Sequence, residues 1–85
     1  MNRDEIKSAV FSAIVDVAPE ADPSIIDPQA RLRDQFDIDS VDFLNFVIGL
    51  HKRFDIDIPE ADYPQMASLD GCVEYLYAKA QGQAT

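Results

Sequence analysis

The stretch Asp39-Ser40-Val41-Asp42-Phe43-Leu44-Asn45-Phe46-Val47-Ile48-Gly49-Leu50-His51-Lys52-Arg53-Phe54 decides the reading of this chain. Asp39 is placed as an N-cap, with an acidic residue, Asp42, three positions later. At about 100° per residue, Phe43, Phe46, Val47, Leu50 and Phe54 fall on one broad side of a helix over 40–54. Val41, Leu44 and Ile48 fall on a separate stripe, about a third of a turn or more away. A helix in so short a chain cannot bury both sides. The second stripe therefore reads as a docking surface for a partner, or as a face covered by the first helix or a loop. Gly49 on the thin polar side marks either a close approach by a neighbour or a tolerated helix glycine.

Working outward, Ile6, Val10, Ile14 and Val17 recur at helical spacing, with Ala9 and Ala13 beside them, and predict a first helix over 3–18 that Pro19 stops. Residues 19–38 hold Pro19, Pro23 and Pro28 and read as a long connection. Asp22-Pro23 starts a turn there, and Ile25, Ile26, Leu32 and Phe36 are candidates to pin the connection to the helices. After the helix over 40–54, a short helical turn is expected at Glu60–Tyr63, limited by Pro64. Ser68 then caps a last helix with Leu69, Cys72, Val73, Leu76 and Ala80 along one face. No alternation supports a strand. The predicted fold is all-α: an antiparallel four-helix bundle of three long helices and one short one, with a long loop between the first two long helices. It forms a single domain over 1–85 with a tail that frays from about residue 82.

Sixteen Asp and Glu against seven Lys and Arg give a formal net charge of −9. A chain this acidic is repelled by phosphate backbones, so nucleic acid is excluded as a partner, and basic protein surfaces are favoured. The same self-repulsion predicts stabilisation by salt. No run is apolar and long enough to span a membrane, and the charged start at Met1-Asn2-Arg3-Asp4-Glu5 is unlike a signal peptide. Cys72 is the only cysteine, so nothing demands an oxidising compartment, and its spacing to Leu69, Val73 and Leu76 reads as a small core residue. A monomer in the cytoplasm is expected.

Ser40 sits where the long loop becomes a helix, near unpaired backbone N–H groups that would favour an anion esterified to it. Asp39 and Asp42 would oppose that anion. Ser40 does not read as a catalytic nucleophile, because the only histidine, His51, lies three turns along the same helix, roughly 16 Å away. Asp34, Asp37, Asp39 and Asp42 do not fit a calcium loop: counting from Asp37, the sixth position is Asp42 and the twelfth Ile48, where glycine and glutamate are needed. No metal site is predicted.

The stretch from Phe36 to Ile48, together with Phe54-Asp55-Ile56-Asp57-Ile58-Pro59-Glu60 and Leu69-Asp70-Gly71-Cys72-Val73-Glu74-Tyr75-Leu76, resembles the acyl carrier protein family across nearly the whole chain. The resemblance implies a non-enzymatic carrier. Ser40 would receive 4'-phosphopantetheine from coenzyme A through a separate phosphopantetheinyl transferase and Mg2+, and the arm's thiol would hold acyl groups as thioesters. Asp39 and Asp42 match acidic positions that face the transferase. Val41, Leu44 and Ile48 match the apolar positions gripped by acyl-loading and acyl-processing enzymes. Phe46, Val47, Leu50, Ile58, Met66, Cys72 and Tyr75 would line a core that parts to shelter an acyl chain. The pattern departs at Val41, where Leu or Met is usual, and at Asn45 and His51-Lys52-Arg53, where many members carry glutamates. That departure implies a dedicated carrier for a specialised lipid or secondary-metabolite pathway, presenting acyl groups to lipid, fatty-acid or polyketide biosynthetic enzymes. Two rivals remain: a peptidyl carrier of a nonribosomal pathway, against which Asp39 speaks, and an unmodified helical adaptor that binds a partner through Val41, Leu44 and Ile48.

Overall fold

The computed structural model describes residues 1–83, and side chains as far as Gln81. Helix α1 spans Arg3–Val17, α2 Leu32–Gln35, α3 Ser40–Phe54 and α4 Leu69–Gln83, with a 3₁₀ segment at Glu60–Met66 before α4. The all-helical bundle and the long first connection agree with the sequence. Two details differ. The connection contains a one-turn helix, α2, and the 3₁₀ segment runs through Pro64 to Met66. Proline's fixed φ suits 3₁₀ geometry, and its missing N–H is a small loss in so short a run. The helix α4 continues to Gln83, so the tail expected from residue 82 falls partly on that helix and partly on residues 84–85, which lie outside the described residues.

Helix α1 starts on a capping box: Glu5 N donates to Asn2 Oδ1 at 2.8 Å, and Asn2 N donates to Glu5 Oε1 at 3.0 Å. It packs against both α3 and α4, and the 3₁₀ segment packs on α4. The shared core takes Ile6, Val10, Ala13 and Ile14 from α1, Phe46, Val47 and Leu50 from α3, and Leu69, Cys72, Val73, Tyr75 and Leu76 from α4. Val17 packs at its margin. Two ion pairs clip the long helices together, Arg3–Glu74 at 2.8 Å and Arg53–Asp16 at 2.9 Å. Exposed pairs like these contribute little to stability, so the apolar core carries the bundle.

The long connection is folded onto the helices rather than looped away. Leu32 is fully buried, Ile26 and Phe36 pack against the core, and Ile25 is 73% exposed. Ile25 thus does not help to pin the loop. The turn at Asp22, whose carboxylate accepts from Ser24 N at 2.8 Å, sends Ile26 inward and its neighbour outward. Backbone bonds then tie the loop to the start of α4: Leu32 N donates to Ala67 O at 2.8 Å, and Asp70 N donates to Pro28 O at 2.9 Å. The second bond satisfies one of the amides that a helix start leaves unpaired, and Gly71 N donating to Ser68 Oγ at 3.0 Å satisfies another. Glycine is required at 71, where a Cβ would stand 2.5 Å from the Gln65 carbonyl oxygen. Gly49 differs: a Cβ there meets nothing within 4 Å, so of its two readings only tolerance survives.

Candidate functional site

Asp39 adopts extended backbone, and its carboxylate accepts from Asp42 N at 2.8 Å, while Asp39 N donates back to Asp42 Oδ2 at 3.2 Å. This reciprocal box stops the loop and starts α3 at a fixed residue. Ser40 is therefore the first helical residue rather than the cap, and it is exposed. Its amide and that of Val41 lack intrahelical partners, as in any first turn. An anion esterified to Ser40 Oγ would meet the positive end of α3. The carboxylates of Asp39 and Asp42 are held close by the same box, so the local field is mixed.

No general base serves Ser40. His51 Nδ1–H donates to the Ile56 carbonyl at 2.7 Å, closing the C-terminal end of α3 three turns away. There Asp55 takes a left-handed conformation at φ 52, which ends the helix. The hydroxyl is reachable from outside and has no catalytic partner. Among the described residues, no group of three or more His, Cys, Asp or Glu is arranged to hold a metal ion.

The stripe beside Ser40 is exposed: Val41 at 65%, Leu44 at 43% and Ile48 at 39%. Helix α1 and the loop leave it uncovered, which removes the covered-face alternative. The opposite side of α3 holds the core, with Phe43 and Phe54 at its margin.

The expected pocket residues Phe46, Val47, Leu50, Ile58, Met66, Cys72 and Tyr75 all lie in one buried cluster. Val47 and Ile58 reach an open crevice of about 160 Å³, which Ile48, His51, Asp57 and Tyr63 complete. Tyr75 lines a separate open cleft of about 620 Å³ with Asp62, Gln65 and Lys79, while Phe46, Leu50, Met66 and Cys72 are buried at 2% exposure or less. Cys72 Sγ–H donates to the Met66 carbonyl at 3.3 Å, and burial pushes the thiol up to about 12. Tyr75 Oη–H donates to Asp62 Oδ2 at 2.6 Å. Burial, followed by that carboxylate, holds the phenol up at about 12.

The basic end of α3 is less free than its sequence implies. Arg53 is paired with Asp16, and His51 bonds backbone, which leaves Lys52 exposed and outside the ion pairs found among the described residues. Two positioning residues were not visible in the sequence. Gln35 grips the loop from α2, and Arg33 Nε–H donates to the Ile38 carbonyl at 3.2 Å, two residues before Ser40. Neither belongs to an apolar period or a local motif.

A family model described as a phosphopantetheine attachment site matches residues 8–76. The chain is 28% identical over 79 residues to the mitochondrial acyl carrier protein of Neurospora crassa, covering 93% of this chain and 59% of that protein. It is 24% identical over 83 residues to the mitochondrial acyl carrier protein 2 of Arabidopsis thaliana, covering 98% and 65%. It is 27% identical over 79 residues to the acyl carrier protein of Chlorobium phaeovibrioides, covering 93% and 100%. The chain thus spans less than two thirds of the length of the two mitochondrial relatives and the whole of the bacterial one. By the extent of the family-model match, over an all-helical bundle that exposes a serine at a helix start, the chain belongs to the phosphopantetheine attachment-site family, whose prosthetic group is a covalent 4'-phosphopantetheine.

Proposed function

We propose that Ser40 bears the phosphopantetheine group and that the chain holds acyl intermediates for a dedicated biosynthetic pathway. The observation that carries this reading is the exposed Ser40 hydroxyl at the first position of α3, with no base in reach. A group with this geometry is inert alone and open to an external transferase. When bound, the arm supplies a thiol for thioester chemistry. The protein's own part is to fix the attachment point, present a docking face and shield cargo.

The docking face is Val41, Leu44 and Ile48, with Asp39 and Asp42 facing the transferase. The exposure of Val41, Leu44, Ile48 and Asp39, along the first half of α3 and its cap, supports that assignment. The crevice at Val47, Ile48 and Ile58 is the entry for cargo, and deeper access needs α3 to move from the 57–63 segment. A specialised lipid or polyketide pathway is favoured by the missing acidic residues at Asn45 and Lys52; with Arg53 and His51 engaged internally, this rests chiefly on those two positions. The chain acts as a monomer. The cytoplasm remains the proposed compartment, supported by a lone buried thiol; no described helix is long and apolar enough to cross a membrane.

The test is incubation with a promiscuous phosphopantetheinyl transferase, coenzyme A and Mg2+, followed by intact mass. The wild type gains one phosphopantetheinyl group and Ser40→Ala gains none. A folded wild type of unchanged mass would leave the helical adaptor as the reading. Loading the modified protein with acyl against aminoacyl donors separates an acyl from a peptidyl carrier, and acyl loading is expected.

A further inference from the structure

We infer that Arg33 is the phosphate contact of the prosthetic arm, and that the cleft beside it receives the arm's phosphate-proximal half. The inference rests on attachment at Ser40. A cleft of about 520 Å³ lies between α2, the start of α3 and the 3₁₀ segment, its lining including Arg31, Arg33, Asp34, Phe43 and Tyr63. Ser40 stands one turn before Phe43, and residues three apart share a helix face, so a group on Ser40 starts from the face of α3 that carries the cleft's Phe43.

The cleft's two cations are not equivalent. Arg31 is turned to Asp34, with Nε 3.0 Å from its carboxylate. Arg33 has no part in the ion pairs found among the described residues. Its Nε is tethered to the Ile38 carbonyl at 3.2 Å, which leaves the two Nη groups of the fork for another acceptor. Two residues of chain span at most about 7 Å, so this tether holds the guanidinium within reach of a group on Ser40.

The charge balance calls for such a partner. Asp37 and Asp39 are exposed and Asp42 half-buried around Ser40, and a phosphodiester adds a permanent negative charge among them. Exposed cations farther off than a Debye length of about 8 Å are screened, so only a nearby one offsets the repulsion. A guanidinium fork matches phosphate oxygens in pairs. Beyond it, Phe43 and Tyr63 meet edge to face with ring centroids 6.4 Å apart, an apolar wall for the branched aliphatic part of the arm.

The experiment compares the unmodified and modified full chain by NMR, with intact mass recording modification. On modification, the Arg33 Nε–H and the ring resonances of Phe43 and Tyr63 shift, while those of Arg53, tied to Asp16, stay in place. The phosphorus resonance of the arm differs between wild type and Arg33→Gln. Added salt, taken to a Debye length of about 3 Å, moves the wild-type resonance toward that of the variant. Because the first comparison uses only wild type, it does not depend on the variant folding. Arg33, Phe43 and Tyr63 signals that coincide before and after modification overturn the contact. A wild type that gains no phosphopantetheinyl mass, or a Ser40→Ala protein that gains it, overturns the attachment site instead.

Discussion

The side chain of Gln35 binds the backbone of Asp27 in both directions: Oε1 accepts from Asp27 N at 2.8 Å and Nε2 donates to the Asp27 carbonyl at 2.8 Å. A further bond from Nε2 reaches Ala30 O at 3.1 Å. One amide thus stands in for a strand edge and closes the connection ahead of α2. Gln35→Leu is expected to cost about 1–3 kcal/mol, the range for polar partners left unpaired. Amide exchange at Asp27 should quicken well before exchange in α1 and α4. Unchanged protection at Asp27 in the variant would show that the loop is held by Leu32 and the backbone ties alone.

Asp39, not Ser40, caps α3, so the two neighbours have separable roles. Ser40→Ala should change stability by no more than about 0.5 kcal/mol, as for other exposed substitutions. Asp39→Ala should cost about 0.5–2 kcal/mol through loss of the cap. Thermal melts of both variants beside a phosphopantetheine-loading assay check this: Ser40→Ala keeps its melt and loses loading. A Ser40→Ala protein that unfolds contradicts the geometry.

Ile48 and Leu50 are two residues apart on α3 and face different ways, at 39% and 0% exposure. Ile48→Glu should keep the fold within about 1 kcal/mol while slowing modification at least tenfold through lost docking. Leu50→Ala should cost about 2–5 kcal/mol by leaving a cavity. Denaturant unfolding paired with modification rates separates them; equal destabilisation by both would place Ile48 in the core.

Glu74 accepts from Arg3 at 2.8 and 3.2 Å, a hydrogen bond and charge pairing that hold its carboxyl below the usual carboxylate range. A carboxylate lowered in the fold contributes stability above its unfolded value of about 4.3, and that contribution is lost as pH falls through the folded value. Melts of wild type against Glu74→Gln should therefore differ near neutral pH and converge at the acid end. The comparison cancels the other carboxylates, which titrate alike in both proteins. A gap that persists in acid would assign the effect to packing.

Cys72 is fully buried, and its thiol is pushed up to about 12, so the neutral form is the one the fold stabilises. Above about pH 9 the unfolded chain ionises this thiol and the folded one does not, so its contribution falls as pH rises toward the folded value. A thiol reagent should label the native protein only as fast as it opens, and urea should accelerate labelling. Prompt labelling in native buffer contradicts the burial.

Much of this was written locally. The bounds of α3, its cap at Asp39, its two apolar sides and the burial of Cys72 follow from residue spacing and side-chain chemistry, which act over one or two turns. The resemblance through Ser40 rested on the same short range. The one-turn α2 was not visible, because a four-residue helix has no period of its own. It exists because Leu32 is buried and Gln35 and the Ala67 carbonyl complete its hydrogen bonds.

By itself, then, the sequence determined an all-helical, acidic chain with a serine at the start of its central helix, because helical period and capping are properties of neighbouring residues. Only the tertiary structure decided that Val41, Leu44 and Ile48 stay uncovered, that Ile25 faces solvent and that Arg53 is spent on Asp16. Those outcomes depend on which faces meet across the bundle, and contacts between residues distant in the chain leave no trace in local spacing.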